Sequence, residues 1–303
     1  MTLELRKIRY FIALFEEGSV NRAAERENIV QPALSTQLKQ LERDLSVQLF
    51  ERSPQGLQPT RAGQHFYKLC LTLTRDLRAA RQEMLDFGSS VRGAIHVGMM
   101  TSICHGCFGQ TLMRYCEAHP DVHVTIVEGT SGILADRVVL GTLDFAVCNR
   151  PASHTGLKLR RVFSDKFFLV SGLAKALVPG RSYDLAKLPN LKLVLPSPHN
   201  FQRRWLERSI KAGTICPTRT IEIDGLGATL QFIEASDWSA LLPRVAVARE
   251  LGTGRFLINR VSSPDLASDI YEMHPPDRPL SVAGERLVEA VQRDLLELAK
   301  GLP

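Results

Sequence analysis

The stretch SVNRAAERENIVQPALSTQLKQLE, residues 19–42, decides how this chain folds at its N-terminus. It predicts two short helices joined by a tight turn. Ser19 can cap the first helix by accepting from a backbone N–H one turn on. Val20, Ala23 and Ala24 form its inner face, and the adjacent alanines let a second helix approach closely. Asn28 suits the turn because Asn tolerates unusual backbone angles. Pro32 fits the first turn of the second helix, where its missing N–H costs nothing. Leu34, Leu38 and Leu41 then recur at spacings of four and three, as one apolar stripe. The other face carries Gln31, Ser35, Thr36, Gln37, Lys39 and Gln40. Gln pairs with adenine edges, hydroxyls serve bases or phosphates, and Lys serves phosphate. An ordinary surface helical hairpin has the same amphipathic pattern, so the flanks must decide between the two.

Residues 5–18 predict another amphipathic helix. Leu5, Ile8, Phe11, Ile12 and Phe15 lie on one face, and Gly18 is the stop. After Glu42 comes LSVQLFERSPQGLQPTRAG. Val47, Leu49 and Phe50 read as a short buried run, residues 53–56 as a turn, and residues 57–60 as the returning strand. This is a small β-wing, with Arg52 placed to reach a phosphate or the minor groove. Three helices and a wing make a winged helix-turn-helix. Its candidate DNA contacts are Gln31, Pro32, Ser35, Thr36, Lys39 and Arg52.

With these flanks the sequence resembles the LysR-type transcriptional regulators. The matching pieces are RYFIALFEEGSVNRAAE, QPALSTQLKQLE, QLFER and PTRAG, an almost gapless pattern over the first sixty-odd residues. GTLDFAV and the later strand–helix rhythm extend the resemblance to the whole chain. Three positions depart from the family. Glu27 stands where a buried leucine is usual, Val30 where a capping serine or threonine is usual, and Thr36 where many members carry arginine. Val30 cannot cap with its side chain, so Gln31 or water must serve those N–H groups. Glu27 must turn outward or find a partner.

Composition sets outer bounds. The 303 residues, 44% hydrophobic, suffice for two or three cored units. No apolar run approaches the ~20 residues of a membrane helix. The opening MTLELRKIRYF lacks the apolar core of a signal peptide, so a cytoplasmic protein is expected. Six cysteines in a chain of this length predict reduced thiols rather than a disulfide scaffold. The net charge of +6 is not concentrated at the N-terminus. Residues 1–90 carry 13 Lys or Arg against 11 Asp or Glu, and residues 91–303 carry 25 against 21. Charge therefore permits DNA binding, while the motif carries it.

From residue 60 to 87, Phe66, Leu69, Leu73, Leu77, Ala80, Met84 and Phe87 recur at threes and fours. That seam wants either a partner helix or a place on its own domain. The resemblance implies a linker helix pairing antiparallel with a second subunit, in a dimer or a dimer of dimers. GSSVRG, residues 88–93, reads as a hinge. Beyond it, strands and helices alternate in an α/β pattern with largely parallel sheets. The final helix, residues 281–300, is expected to pack back on the first subdomain. The expected fold is thus α/β with an N-terminal winged helix-turn-helix, a long linker helix, and two subdomains. The resemblance implies that these are arranged like a periplasmic binding protein around a ligand cleft. The expected boundaries are 1–61 for the DNA-binding domain, 62–90 for the linker and hinge, and 91–303 for the effector domain. Within it, subdomain I covers about 91–165 and 269–303, and subdomain II about 166–268.

Ligands of open α/β sheets sit beyond the carboxyl ends of strands, at helix N-termini. Thr101 and Ser102, Thr130 and Ser131, Asn149, Asn200 and Phe201, and Gly225 all fall there. The resemblance places effector contacts at Thr101, Ser102, Thr130, Asn200 and Phe201. Hydroxyls and free N–H groups favour a carboxylate, and Phe201 can pack on a ring, so a small organic acid is expected. Each Ser or Thr could instead merely cap its helix. The resemblance further implies promoter DNA and RNA polymerase as partners.

Cys104-His-Gly-Cys107 offers a second reading. A C-x-x-C after a strand and near a helix start lowers a thiol pKa in redox sensors. The surrounding pattern is not thioredoxin-like, and no second ligand pair stands at zinc spacing. There is no G-x-S-x-G elbow, P-loop or H-E-x-x-H, and G-L-G-A at 225–228 lacks the third glycine of a dinucleotide fingerprint. No enzyme activity, catalytic residue, metal or cofactor is expected.

Overall fold

Gly18 and Asn28 set the first two corners of the chain. Gly18, at φ 60°, ends α1 (Leu5–Glu17) and donates to the Leu14 carbonyl at 3.0 Å. Asn28, at φ 54°, turns the chain between α2 (Val20–Arg26) and α3 (Gln31–Leu45). The structure, a computed structural model, describes residues 3–300 apart from 54–55, 87–90, 152–155 and 199. Of Arg52, Ser53, Gly56, Glu83, Asp86 and Phe201 it describes the backbone alone. Two compact units make up the chain, Met1–Arg81 with Leu140–Thr142, and Gln82–Val139 with Leu143–Pro303.

In the first unit the amphipathic stripes meet in one core. Ile8, Phe11 and Leu14 of α1 pack with Ala23 and Ala24 of α2 and with Leu34 and Leu41 of α3. The Phe11 ring is fully buried, 5.5 Å from Phe50 and 4.9 Å from Phe66. Ser19 makes no side-chain cap. The first turn of α2 closes instead through the Ser19 carbonyl, which accepts from Ala23 N at 3.0 Å. Glu27 finds its partner in Arg9 at 2.8 Å. Val30 is exposed, and its carbonyl accepts from the Ala33 and Leu34 N–H groups. Val47 is also exposed, against expectation. Ser46, at φ 52°, turns the chain outward after α3, so the buried run starts at Leu49.

The wing is β1 (Phe50–Ser53) paired antiparallel with β2 (Gly56–Pro59). The expected turn between them falls partly on 54–55, outside the described residues. Glu42 at the end of α3 accepts from the Leu49 and Phe50 N–H groups at 2.8 and 3.2 Å, tying the wing to α3. Thr60 accepts from Gly63 N and donates to the Gln48 and Leu49 carbonyls, so it caps α4 (Arg61–Asp86) against the strand. A Cβ on Gly63 would collide with the Leu49 carbonyl. The PTRAG motif is therefore a helix cap and a close approach in five residues. Phe66 and Tyr67 of α4 join the core, with Tyr67 stacked on Phe15 at 3.9 Å. Leu69, Leu73, Leu77 and Met84 of the same helix are exposed. Residues 88–90 of the expected hinge, and Phe87 of the seam, lie outside the described residues.

The second unit is built on a ten-stranded sheet. In chain order the elements are β3 (Gly93–Met100), α5 (Thr101–Ile103), a π-turn (Cys104–Phe108), α6 (Gly109–Ala118), β4 (Val122–Gly129), α7 (Ser131–Leu140) and β5 (Phe145–Asn149). Then follow β6 (Lys158–Gly172), β7 (Ser182–Asp184), β8 (Lys192–Leu195), α8 (Phe201–Lys211), β9 (Arg219–Glu222), α9 (Leu226–Glu234) and β10 (Ser239–Pro243). A 3₁₀ helix (Arg244–Glu250), β11 (Phe256–Ser263), β12 (Ala267–His274) and α10 (Val282–Lys300) complete the unit. The strand order is β4-β3-β5-β12-β6-β10-β8-β9, with β11 beside β6 and β7 beside β11.

The expectation of largely parallel sheets needs correction at the centre. The flanks are parallel, but β6 runs antiparallel to β10, β11 and β12, and β12 runs antiparallel to β5. Long strand β6 changes partners between Lys166, which pairs with β12, and Phe167, which pairs with β10. A strand that crosses from one half to the other and is met by a returning strand pairs in this sense. Leu287, Val288, Val291 and Leu295 of α10 bury against Ile95, Val97 and Phe145 of β3 and β5.

Candidate functional site

On α3, side chains four residues apart share a face, and each favours the next. Gln31 Nε2 donates to Ser35 Oγ at 3.0 Å, and Thr36 Oγ1 donates to the Pro32 carbonyl at 2.8 Å. Gln31, Pro32, Thr36 and Lys39 are exposed and Ser35 is half-buried. Lys39 has no ion-pair partner among the described residues. The opposite face is held by Leu34 and Leu41 in the core and by Asp44, which accepts from the buried Lys7 at 2.8 Å. That bond holds the Asp44 carboxyl below its usual range. The arrangement is a helix clamped on one side, with a row of polar side chains at the surface on the other. Wing residue Arg52 pairs with Leu57 through its backbone, and its side chain lies outside the description.

The second unit holds a cleft of about 280 Å³. Thr101 and Ser102 reach it from the end of β3, Thr130 and Ser131 from the end of β4, and Asn149 from the end of β5. Asn200 and Gly225 reach it from the starts of α8 and α9. Seven of the eight expected residues thus meet in one cavity. The eighth, Phe201, begins α8, but its side chain lies outside the description. Some of these groups also serve the fold. Asn200 Oδ1 accepts from Gln202 N at 3.0 Å and caps α8. Asn149 Nδ2 donates to Ser268 Oγ at 2.6 Å and to the Asp269 carbonyl at 3.0 Å. Gly225, at φ 136°, holds a backbone conformation that side chains disfavour and so opens α9 into the cleft.

Sequence reading missed Asp165, which lines the same cleft and is almost fully buried. Its Oδ2 accepts from Val245 N at 3.0 Å, and its Oδ1 has no hydrogen-bond partner among the described residues. Burial pushes this carboxyl up to about 6, against the opposing pull of the Val245 N–H and Arg244. The one local signal was an acidic residue just before the apolar run FFLV. Ser268, also missed, lies in β12, a strand the sequence pattern did not reveal. Ser102 Oγ is likewise buried without a partner among the described residues.

The thiols of Cys104 and Cys107 bear on the second reading of the sequence. Both lie in the π-turn, half-buried against the core, and burial pushes each up to about 12. Glu128 adds to the rise at Cys104, and Asp294 and Asp165 at Cys107. A reactive thiol needs the opposite shift. Among the described residues no group of three His, Cys, Asp or Glu could hold a metal ion, and no helix is long and apolar enough to cross a membrane.

A winged helix-turn-helix with an exposed polar face on α3, followed by an α/β domain whose cleft is edged by hydroxyls and helix starts, is the architecture of a DNA-binding transcriptional regulator with a substrate-binding domain. Residues 5–64 match the bacterial regulatory helix-turn-helix protein model of the lysR family, and residues 88–296 match the LysR substrate binding domain. The chain belongs to the LysR family of transcriptional regulators. It is 26% identical over 266 residues to the nitrogen assimilation regulatory protein nac of Klebsiella aerogenes, covering 88% of this chain and 86% of that protein. It is 25% identical over 275 residues to the transcriptional regulator BenM of Acinetobacter baylyi, covering 89% of each. A full-length OxyR variant from Pseudomonas aeruginosa has the same fold, with TM-score 0.74 and 22% identity over 96% of this chain and 95% of that one. So does full-length CbnR complexed with its target DNA, with TM-score 0.69 and 21% identity over 96% and 99%.

Proposed function

We propose that this regulator binds duplex promoter DNA through α3 and the wing and answers to a small organic acid held in the cleft. Gln31, Pro32, Ser35, Thr36 and Lys39 face the major groove, and Arg52 of the wing reaches the backbone or the minor groove. Thr101, Ser102, Thr130, Ser131, Asn149, Asn200, Phe201 and Gly225 form the effector site. The observation that carries this function is the convergence of hydroxyls and helix starts from separate chain segments on one cavity. N–H groups at helix starts attract an anion, and the hydroxyls complete its hydrogen bonds.

The division into a DNA-binding domain (1–61), a linker and hinge (62–90) and an effector domain (91–303) belongs to the same proposal. The exposed Leu69, Leu73 and Leu77 of α4 support pairing with a second subunit in a dimer or tetramer. The effector acts by binding two arrangements of the protein unequally and so shifting their populations. That shift changes DNA bending and contact with RNA polymerase in a cytoplasmic protein. A thiol switch at Cys104 and Cys107 ranks behind this, because neither thiol is acidic. Calorimetric titration with a panel of carboxylates tests the cleft. Saturable binding of at least one is expected, and binding by neutral or cationic compounds only would overturn the organic-acid assignment.

A further inference from the structure

The cleft carries an imbalance of charge. Its ionisable lining residues are Asp165 and Asp224, and no Lys, Arg or His is among the described residues that line it. Asp165 is 1% exposed and Ser102 is 8% exposed. Each presents one buried oxygen without a partner among the described residues, Asp165 Oδ1 and Ser102 Oγ. Arg244 acts on the Asp165 charge only from outside the cleft. Its Nη1 donates to the Ala299 carbonyl, its guanidinium lies over the Phe168 ring, and it does not line the cleft. A buried carboxylate with a free oxygen calls for a donor, and a cationic donor restores the charge as well.

We propose that the effector is an amino acid-like zwitterion, with its ammonium group on Asp165 Oδ1 and its carboxylate on the hydroxyls and helix starts across the cleft. This rests on the cleft being an organic-acid site and adds the second pole of the ligand. Asp165 lies at the point where β6 leaves β12 for β10, the strand shared by both halves of the sheet. Its Oδ2 meanwhile holds the first turn of the 3₁₀ helix through Val245 N. The ammonium group therefore sits where the two halves join, a position from which a ligand can bias their arrangement.

Matched ligand series decide the matter on the full-length protein. Calorimetric titrations near neutral pH compare L-leucine with 4-methylpentanoic acid and 3-methylbutylamine, and L-phenylalanine with 3-phenylpropanoic acid and phenethylamine. The other common L-amino acids extend the panel, each beside its deaminated acid. At least one amino acid is expected to bind about tenfold or more tightly than its deaminated acid, the contribution of one charge-assisted hydrogen bond. Asp165→Asn is expected to reduce that preference to less than about threefold. Deaminated acids binding as tightly as the amino acids would overturn the zwitterion and leave the organic-acid site standing. Failure of every acid and amino acid to bind would overturn both. A preference that survives Asp165→Asn would remove Asp165 from the ammonium contact. The wild-type series decides alone if the variant does not fold.

Discussion

Asp165 Oδ2 accepts a hydrogen bond from the backbone N–H of Val245 at 3.0 Å, linking the crossing strand β6 to the first turn of the 3₁₀ helix. Eighty residues separate the two in sequence. This bond fixes a carboxylate in the cleft wall at a cost in solvation, because its second oxygen is buried with no hydrogen-bond partner among the described residues.

Replacing Asp165 with Asn is expected to stabilise the ligand-free protein above pH 6. Burial raises this carboxyl to about 6, well above the ordinary aspartate value of roughly 4. The folded chain therefore holds the proton more tightly than the unfolded chain between those values. The ionised form costs stability, fully so above about pH 6, and the cost is relieved as pH falls toward 4. The penalty is roughly 3 kcal/mol at neutral pH. Asn keeps an acceptor for Val245 N and carries no charge. Urea unfolding at several pH values checks this. Wild type and variant should differ most at neutral pH and converge in acid, and a gap independent of pH would contradict the assignment.

Lys39→Ala and Ser35→Ala are expected to weaken operator binding. Lys39 is exposed and free to meet a phosphate, so its loss should lower the salt dependence of log K by about one counterion. Ser35 already accepts from Gln31, so its removal also frees the Gln31 side chain and should alter base preference more than salt slope. Fluorescence anisotropy over a salt series separates the two effects. Unchanged affinity for both variants would discard the recognition face.

Alkylation should distinguish the six cysteines. Cys116 and Cys216 are exposed, while burial holds Cys104 and Cys107 up at about 12. Iodoacetamide near neutral pH is expected to label Cys116 and Cys216 first and the C-x-x-C pair slowly, since the thiolate is the nucleophile. Mass spectrometry of timed digests reads the order. Rapid labelling of Cys104 or Cys107 would revive the thiol switch.

Gly63→Ala should destabilise the winged domain by about 1–3 kcal/mol, because the new methyl overlaps the Leu49 carbonyl and forces α4 away from β1. Gly109→Ala provides the control. Its Cβ meets nothing within 4 Å, and it lies in a helix. Thermal melts of the two variants should diverge, with only the first losing stability.

The local chemistry of residues 5–64 made the winged domain legible in sequence. Leu34 and Leu41 at helical spacing, Asn28 and Gly18 in left-handed backbone, and Pro32 at a helix start act within a few residues of themselves. The alternating pattern likewise placed Thr101, Thr130, Asn149 and Asn200 at strand or helix ends, because one strand ends where its own residues stop pairing. Local pattern did not reveal β11, β12 or the antiparallel pairing around β6, since the partners of a strand are chosen by distant segments. Nor did local pattern show the surroundings of Cys104 and Cys107. A helix start lowers a thiol only where solvent reaches it, and the packing of the π-turn on the core reverses the shift.

From its sequence alone, then, this protein is a LysR-type regulator with a recognition helix at residues 31–45 and polar strand ends that could meet in a cleft. Only the tertiary structure brought those ends together and buried Asp165 among them. Burial and charge balance depend on what the rest of the chain places around a residue. Asp165 becomes a raised, half-satisfied carboxylate because Val245 arrives from the far side of the domain and no cation among the described residues lines the cleft with it.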